Sequence, residues 1–336
     1  MKEMGLKAYR FSLSWPRLLP EGTGRVNEAG VRFYSELIDA LLEAGIEPYV
    51  TLFHWDLPYA LYQRGGWMNP ESVDWFGGYA RLAAERFSGR VSHFFTLNEP
   101  QCFVGLGFLT GVHAPFLNAP LRDTFAMAHN VLKAHGQGVR MLRQYGKQPL
   151  EIGFAPWLPN ITDEDMSLIS EPIDVYAQNI YNGKCVRMGQ DGRPEIVPRH
   201  PGFPRTANGW PITPECLYWG PKFLYERYKK PLYITENGLS CHDVVSLDGR
   251  VHDPNRIDFL SRYLRQLRRA AGEIDLQGYF QWSLMDNFEW EKGYSERFGL
   301  IYVDYLTQQR ILKDSAQWYR KIIYTNGEIL PEPAAY

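Results

Sequence analysis

Long apolar runs are missing from this chain of 336 residues. None reaches the ~18 residues of a membrane-spanning helix, so no transmembrane segment and no membrane partner is expected. Cysteine is scarce: Cys102, Cys185, Cys216 and Cys241 show no Cys-x-x-Cys or Cys/His spacing. That pattern argues against a metal site and leads us to expect four buried free thiols. An excess of either charge is missing as well. With 36 basic and 38 acidic residues the net charge is −2, which gives neither a nucleic-acid footprint nor an acidic tail. No Gly/Ser-rich or charged linker divides the chain. The opening Met1-Lys2-Glu3-Met4 has no signal-peptide core, and a reducing cytoplasm is the expected location.

What the chain has in quantity is aromatic side chains, 15 % of all residues, including ten Trp and 21 Tyr. Such a store suits a site that stacks sugar rings, although much of it must be core. The length allows a large buried core, in one barrel domain or two ordinary ones.

Along the chain, short apolar segments alternate with amphipathic ones. Strands are expected at 7–12, 47–53, 91–98, 151–156, 173–181, 231–235 and 276–284. Helices are expected at 27–44, 69–87, 124–144, 213–229, 253–271 and 309–323. The first helix places Val31, Tyr34, Leu37, Ile38 and Leu41 on one face and stops at Gly45. Asn69-Pro70, Thr213-Pro214 and Asp253-Pro254 supply N-cap and first-turn residues. The last helix would carry Ile311, Leu312, Trp318, Ile322 and Ile323. The stretch 157–170 is too short for a full helix after its strand. The alternation predicts one α/β domain over 1–336 with a parallel sheet, a (β/α)8 TIM barrel. Seven strands are readable where such a barrel needs eight.

Two of the strands end in a carboxylate. Tyr233-Ile234-Thr235-Glu236-Asn237-Gly238 is an apolar strand running into Glu236 and an Asn-Gly turn signal. His93-Phe94-Phe95-Thr96-Leu97-Asn98-Glu99-Pro100 has the same form, closed by a proline. A single Glu at a strand end is ordinarily a solvated loop residue. Two in matching contexts point to a pair of carboxylates serving one site, the layout of glycoside hydrolysis.

The segments Thr96-Leu97-Asn98-Glu99-Pro100 and Ile234-Thr235-Glu236-Asn237-Gly238 resemble the two signatures of glycoside hydrolase family 1, the β-glucosidase family. The resemblance continues through Tyr9-Arg10-Phe11-Ser12-Leu13-Ser14-Trp15, Thr51-Leu52-Phe53-His54-Trp55-Asp56-Leu57-Pro58, Asn179-Ile180-Tyr181 and Trp282-Ser283-Leu284-Met285-Asp286-Asn287-Phe288-Glu289-Trp290. It runs through nearly the whole chain in the family's order. Two pieces of the family pattern are missing: the first strand, with its Gln-bearing sugar contact, and most of the segment between the strands at Glu151 and Ile173.

The resemblance implies a retaining β-glycosidase acting on β-linked glucosides, with galactosides or fucosides as further substrates, and no cofactor. Glu236 matches the nucleophile and Glu99 the acid/base, two carboxyl groups about 5–5.5 Å apart in such enzymes. Arg10 and Tyr181 are expected to keep Glu236 ionised, and Glu99, with no cation in its own segment, is expected to titrate high. His54, Trp55, Asn98, Asn179, Tyr181, Trp282, Trp290 and Phe298 match positions that contact or wall the sugar, and Asn179 serves equally well as a brace. Glu289 matches a carboxylate that accepts bonds from the 4- and 6-hydroxyls; it would repel a phosphorylated sugar.

Three readings stand beside this one: a non-catalytic sugar-binding or structural remnant, a 6-phospho-β-glycosidase, and a transglycosylase. The expected partner is a small β-glycoside or oligosaccharide, with no nucleic acid. A barrel short of one strand would leave two sheet edges open and offer a route to a homo-oligomer. His129 and His135 are spaced so that they do not share a ligand, and Arg262, Arg265, Arg268 and Arg269 form a solvated helix face.

Overall fold

The computed structural model describes residues 1–154 and 163–330. The end of the expected strand 151–156 and the first part of the stretch 157–170 lie outside the described residues. Backbone contacts divide the chain into two compact units, one within 7–177 and one built mainly from 3–6 together with residues from 178 onward.

The amino-terminal unit runs β1 (Ala8–Ser12), α1 (Trp15–Leu18), α2 (Glu28–Glu43), β2 (Glu47–Phe53), α3 (Tyr59–Gln63), α4 (Ser72–Phe87), β3 (His93–Leu97), α5 (Pro100–Val104), α6 (Leu121–Tyr145), β4 (Glu151–Phe154), α7 (Asp163–Ile169) and β5 (Val175–Asn179), whose last two residues are counted with the other unit. The Asn27 side chain caps α2 by accepting from the Ala29 backbone N–H. Val31, Tyr34, Ile38 and Leu41 form the buried face of the helix, and Gly45, at φ +71°, ends it in the left-handed region that glycine enters at no steric cost. Helix α4 starts at Ser72, three residues after Asn69. The Asn69 Oδ1 accepts from the Glu71 N–H and its carbonyl from the Ser72 N–H, so Asn69 closes the preceding turn instead of capping the helix.

Strand β2 pairs in parallel with β1 and β3, and β4 pairs in parallel with β3 and β5. Six of the seven β2 residues are buried, as expected of a parallel strand covered on both faces. Trp15, wholly buried, anchors the packing around this sheet. It stacks on Tyr79 at 4.8 Å and meets Phe53, Trp67 and Phe76 edge-on, while its Nε1–H donates to the Gly22 carbonyl. An aromatic ring buried in this way removes about 150–250 Å² from water, worth roughly 4–6 kcal/mol. His135 belongs to the core too. It stacks on Phe154 at 3.8 Å, shares a 2.7 Å hydrogen bond with the Thr96 hydroxyl, and burial pushes its pKa down to about 3. His129 lies against Asp165 instead, so the two histidines share no ligand, and no metal-binding cluster occurs among the described residues.

The carboxyl-terminal unit contains β6 (Val186–Met188), β7 (Pro194–Ile196), α8 (Cys216–Tyr228), β8 (Leu232–Asn237), α9 (Pro254–Ala271), β9 (Leu276–Gln281), β10 (Ile301–Val303), β11 (Arg310–Leu312) and α10 (Asp314–Tyr324). Strands β8 and β9 are parallel, and the barrel sheet has seven strands in the order β1-β2-β3-β4-β5-β8-β9. This is the TIM-barrel alternation of strand and helix, with seven strands among the described residues. Ile180, Leu217, Ile234, Phe259, Tyr263, Leu267, Tyr319 and Ile322 form the core of this unit, joined by Met4 from the amino terminus. Arg262, Arg268 and Arg269 lie on the exposed face of α9.

Two further expectations are corrected. The helix at 309–323 begins only at Asp314, because Arg310–Leu312 pairs antiparallel with Ile301–Val303. Ile311 and Leu312 therefore lie on a strand. The cysteines are free but none is fully buried: Cys185 is exposed and the other three are half-buried. Burial pushes the Cys216 and Cys241 thiols up to about 12 and about 11.

A buried lattice of charge ties the loops of this unit together. Lys313 and Arg256 have no exposed side-chain surface. The Lys313 ammonium lies 2.6 Å from Asp243 and 2.8 Å from Asp286. Arg256 pairs with Asp243 at 2.8 Å and with Asp253, and Arg297 holds Asp286 at 2.6 Å. Three carboxylates meet three cations, so the cluster is neutral; removing one member strands the others in a medium that cannot solvate them. Lys313→Met is therefore expected to lower the unfolding free energy by about 3–5 kcal/mol in urea titrations, against no more than about 1 kcal/mol for Arg262→Ala on the exposed face of α9. Equal effects would show that the lattice does not bear on stability.

Candidate active site

Each unit carries part of the predicted site. In the amino-terminal unit the polar residues gather at the carboxyl ends of β1, β2 and β3. Arg10 on β1 donates from Nη2 to the Asn98 Oδ1 at 2.7 Å and from Nε to the Thr51 hydroxyl at 3.0 Å. Because a guanidinium has only donors, it fixes the Asn98 amide with the oxygen toward Arg10. The amide Nδ2 then points to His54 Nε2, 3.0 Å away. That nitrogen must accept, so the neutral imidazole carries its proton on Nδ1 and donates it to the Ser12 hydroxyl at 2.9 Å. One cation thus sets an amide orientation, a tautomer and a hydroxyl rotor in sequence. Asn98, at the centre of the network, is only 4 % exposed, while Arg10, His54 and Ser12 are half-buried.

The backbone beside this network is strained. Trp55 and Glu99 hold φ of +79° and +44°, left-handed conformations that cost a non-glycine residue about 1–3 kcal/mol. The Trp55 indole N–H donates to the Asn98 carbonyl at 2.9 Å. From Glu99 the chain enters α5, whose Cys102 thiol donates to Glu99 Oε2 at 2.9 Å. A cavity of about 370 Å³ lies in this unit, walled by Phe53, Trp55, Tyr59, Trp67, Phe103 and Phe108 with Asp56 as its acidic residue. Asp56 accepts from the Trp15 backbone N–H at 3.1 Å, yet burial dominates and its pKa is pushed up to about 6.

In the carboxyl-terminal unit Glu236 is 5 % exposed on β8. It accepts a 2.8 Å hydrogen bond from the Tyr181 hydroxyl. Neighbouring contacts hold both partners: the Ile180 N–H donates to the Glu236 carbonyl, Asn237 Nδ2 to the Ile180 carbonyl, and the Tyr263 hydroxyl to the Tyr181 carbonyl. Asn179 accepts from the Thr235 hydroxyl at 2.7 Å, a brace across the residue before Glu236. Phe298, 2 % exposed, packs with Trp210 against the Tyr181 ring. A Cβ on Gly238 would lie 1.8 Å from the Trp282 carbonyl oxygen, so only glycine lets the chain pass Trp282 this closely. Glu289 and Trp290 are half-buried, in a tight turn closed by the Glu289 N–H donating to the Gly293 carbonyl. Trp290 is left-handed, at φ +44°.

Sequence reading misses Ser12, Thr51, Asp56, Cys102 and Trp210. Ser12 and Thr51 had a signal: they are register partners across β1 and β2, and Ser12 lies two residues from Arg10, on the same face of its strand. Trp210 lies in a loop with no periodicity to reveal it.

Asp56 gives the site a pH signature in stability. Its folded pKa lies above the unfolded value near 3.8, so its contribution is complete below that value and is lost as pH rises through about 6. Relative to Asp56→Asn, the wild-type chain is expected to lose up to about 3 kcal/mol of unfolding free energy between pH 4 and pH 7. Parallel stability curves for the two proteins in that window would refute this.

The glycosyl hydrolase family 1 profile matches residues 1–156 and 142–328. Beta-glucosidase A of Thermotoga maritima is 44 % identical in an alignment covering 97 % of this chain and 84 % of its own. That alignment runs over 377 positions, more than this chain has residues, so the relative carries internal residues with no counterpart here. A bifunctional β-D-glucosidase/β-D-fucosidase of Bifidobacterium breve is 38 % identical over 96 % of this chain and 85 % of its own. Among solved structures, the Thermotoga maritima β-glucosidase in complex with glucoimidazole superposes with a TM-score of 0.90 at 43 % identity, covering 97 % of this chain and 85 % of that one. With the strand-terminal glutamates and the barrel strand order already established, these matches show that the chain belongs to glycosyl hydrolase family 1.

Proposed function

We propose that this protein is a retaining β-glycosidase that hydrolyses β-D-glucosides, with Glu99 as acid/base and Glu236 as nucleophile. The observation that carries the reading is the Glu236 carboxyl, buried at the end of β8 and held by the Tyr181 hydroxyl. An acceptor-only group in that position is costly to bury unless donors hold it and fix its geometry. In the first step Glu99 protonates the glycosidic oxygen, the bond from that oxygen to the anomeric carbon breaks, and a Glu236 oxygen bonds to that carbon. In the second step Glu99 takes a proton from water, and the water oxygen displaces Glu236 from the anomeric carbon, restoring both carboxyl groups.

The remaining assignments follow the family pattern. Asn98, with its amide oriented by Arg10, would hold the sugar 2-hydroxyl, and His54 and Glu289 other hydroxyls. Trp55, Trp282 and Trp290 would supply stacking faces. The Glu289 carboxylate favours an unphosphorylated sugar over a 6-phosphate. Relatives named as β-glucosidases support a gluco-configured substrate, and one named as both β-glucosidase and β-fucosidase supports tolerance at the 4- and 6-positions, since D-fucose is 6-deoxygalactose. The free thiols support a reducing cytoplasm, and no helix among the described residues is long and apolar enough to cross a membrane. An open sheet edge would support self-association.

The chain should release the phenol from an aryl β-glucoside, and Glu236→Ala should lower that rate by about 10⁴-fold or more. Azide added to Glu236→Ala should restore turnover and give the α-glycosyl azide, because the anion enters from the face that Glu236 vacates. A folded wild-type chain without activity would favour the non-catalytic reading, and a Glu236→Ala protein with wild-type rates would sink the nucleophile assignment.

A further inference from the structure

We infer that Cys102 is a positioning residue for the proton donor: its thiol claims one oxygen of Glu99 and leaves the transferable proton on the other. This rests on the reading of Glu99 as acid/base. The thiol Sγ lies 2.9 Å from Glu99 Oε2 and donates to it. The pair is fixed from both ends. Glu99 is held at φ +44° and ψ +67°, Pro100 opens α5, and the Cys102 N–H donates to the Glu99 carbonyl at 2.9 Å. The left-handed turn at Glu99 and the first turn of α5 together bring the two side chains into contact.

A neutral carboxylic acid has one O–H and one carbonyl oxygen. The oxygen that accepts the S–H bond serves as the carbonyl oxygen, so the acidic proton resides on Oε1. When Glu99 later acts as base, the same S–H bond is already made to Oε2, and Oε1 is again the oxygen that takes the proton from water. The thiol therefore sets the same oxygen to work in both half-reactions. A weak donor suits this task. An ammonium or guanidinium in its place would favour the ionised form and weaken Glu99 as an acid.

A residue that acts through the proton donor matters only where the leaving group needs a proton. Phenyl β-glucoside needs one; 2,4-dinitrophenyl β-glucoside, whose phenolate leaves unaided, does not. In Cys102→Ala and Cys102→Val, which have no donor, the ratio of kcat/KM on the phenyl substrate to kcat/KM on the dinitrophenyl substrate is expected to fall by about five- to tenfold. Cys102→Ser, which keeps a donor, should return the ratio to within about twofold of wild type. Val fills the space that Ala leaves empty, so the comparison stands even if Cys102→Ala does not fold. An unchanged ratio in the donor-free variants, whether both rates fall together or neither falls, would overturn the inference. So would a ratio in Cys102→Ser as low as in Cys102→Val. Glu99→Gln serves as the reference. A selective loss on the phenyl substrate upholds the acid/base reading independently of Cys102, whereas equal loss on both substrates marks that reading as the one that failed.

Discussion

A polar side chain at the buried end of a strand must find its hydrogen-bond partners within the protein, and the site described here follows from that constraint. Arg10 is the clearest case. Its guanidinium can only donate, so Asn98 presents its oxygen to Arg10, His54 receives the amide N–H, and Ser12 receives the imidazole proton. No element of this order is optional once Arg10 is in place. Glu236 meets the same constraint through the Tyr181 hydroxyl, and Tyr181 is held in turn by the ring packing of Trp210 and Phe298.

The buried charge lattice of the carboxyl-terminal unit works at longer range. Asp286 accepts from Arg297 and Lys313 and from the Gly299 backbone N–H at 3.0 Å, three residues before Glu289. The turn that carries Glu289 and Trp290 is thus rooted in a cluster that water does not reach. Pairs of this kind add little net stability over an apolar core of the same volume, but losing one partner is costly, so the segments that supply the three carboxylates and three cations are held to one another.

Much of this was legible in the sequence where the information is local. The strand Glu47–Phe53 was found at both of its ends because an apolar run lies between Gly45 and the polar residues that follow Phe53. Glu99 and Glu236 stood out because a proline and an Asn-Gly pair end their strands. Non-local pairing was not legible. Arg310–Leu312 reads as the start of a helix until its partner Ile301–Val303 is known. The hairpin of β6 and β7 was also missed, although Asp191-Gly192, with Gly192 at φ +76°, is the turn signal that would have found it. Among the site residues, a side-chain role that depends on a neighbour's orientation, such as that of the Cys102 thiol, has no signature in one dimension.

The direction of the chain from Arg10 to Ser12 also constrains how this site can change over generations. Each link is a donor facing an acceptor, so exchanging Asn98 for a carboxylate would put an acceptor opposite His54 Nε2, and the imidazole would have to flip its proton or gain a second one. The Ser12 hydroxyl, which both donates and accepts, would turn to donate to Nδ1 after a flip. Replacements at Arg10, Asn98 and His54 are therefore expected to be coupled rather than additive. Those three positions are expected to change as a set, with the Ser12 hydroxyl the link that tolerates either order.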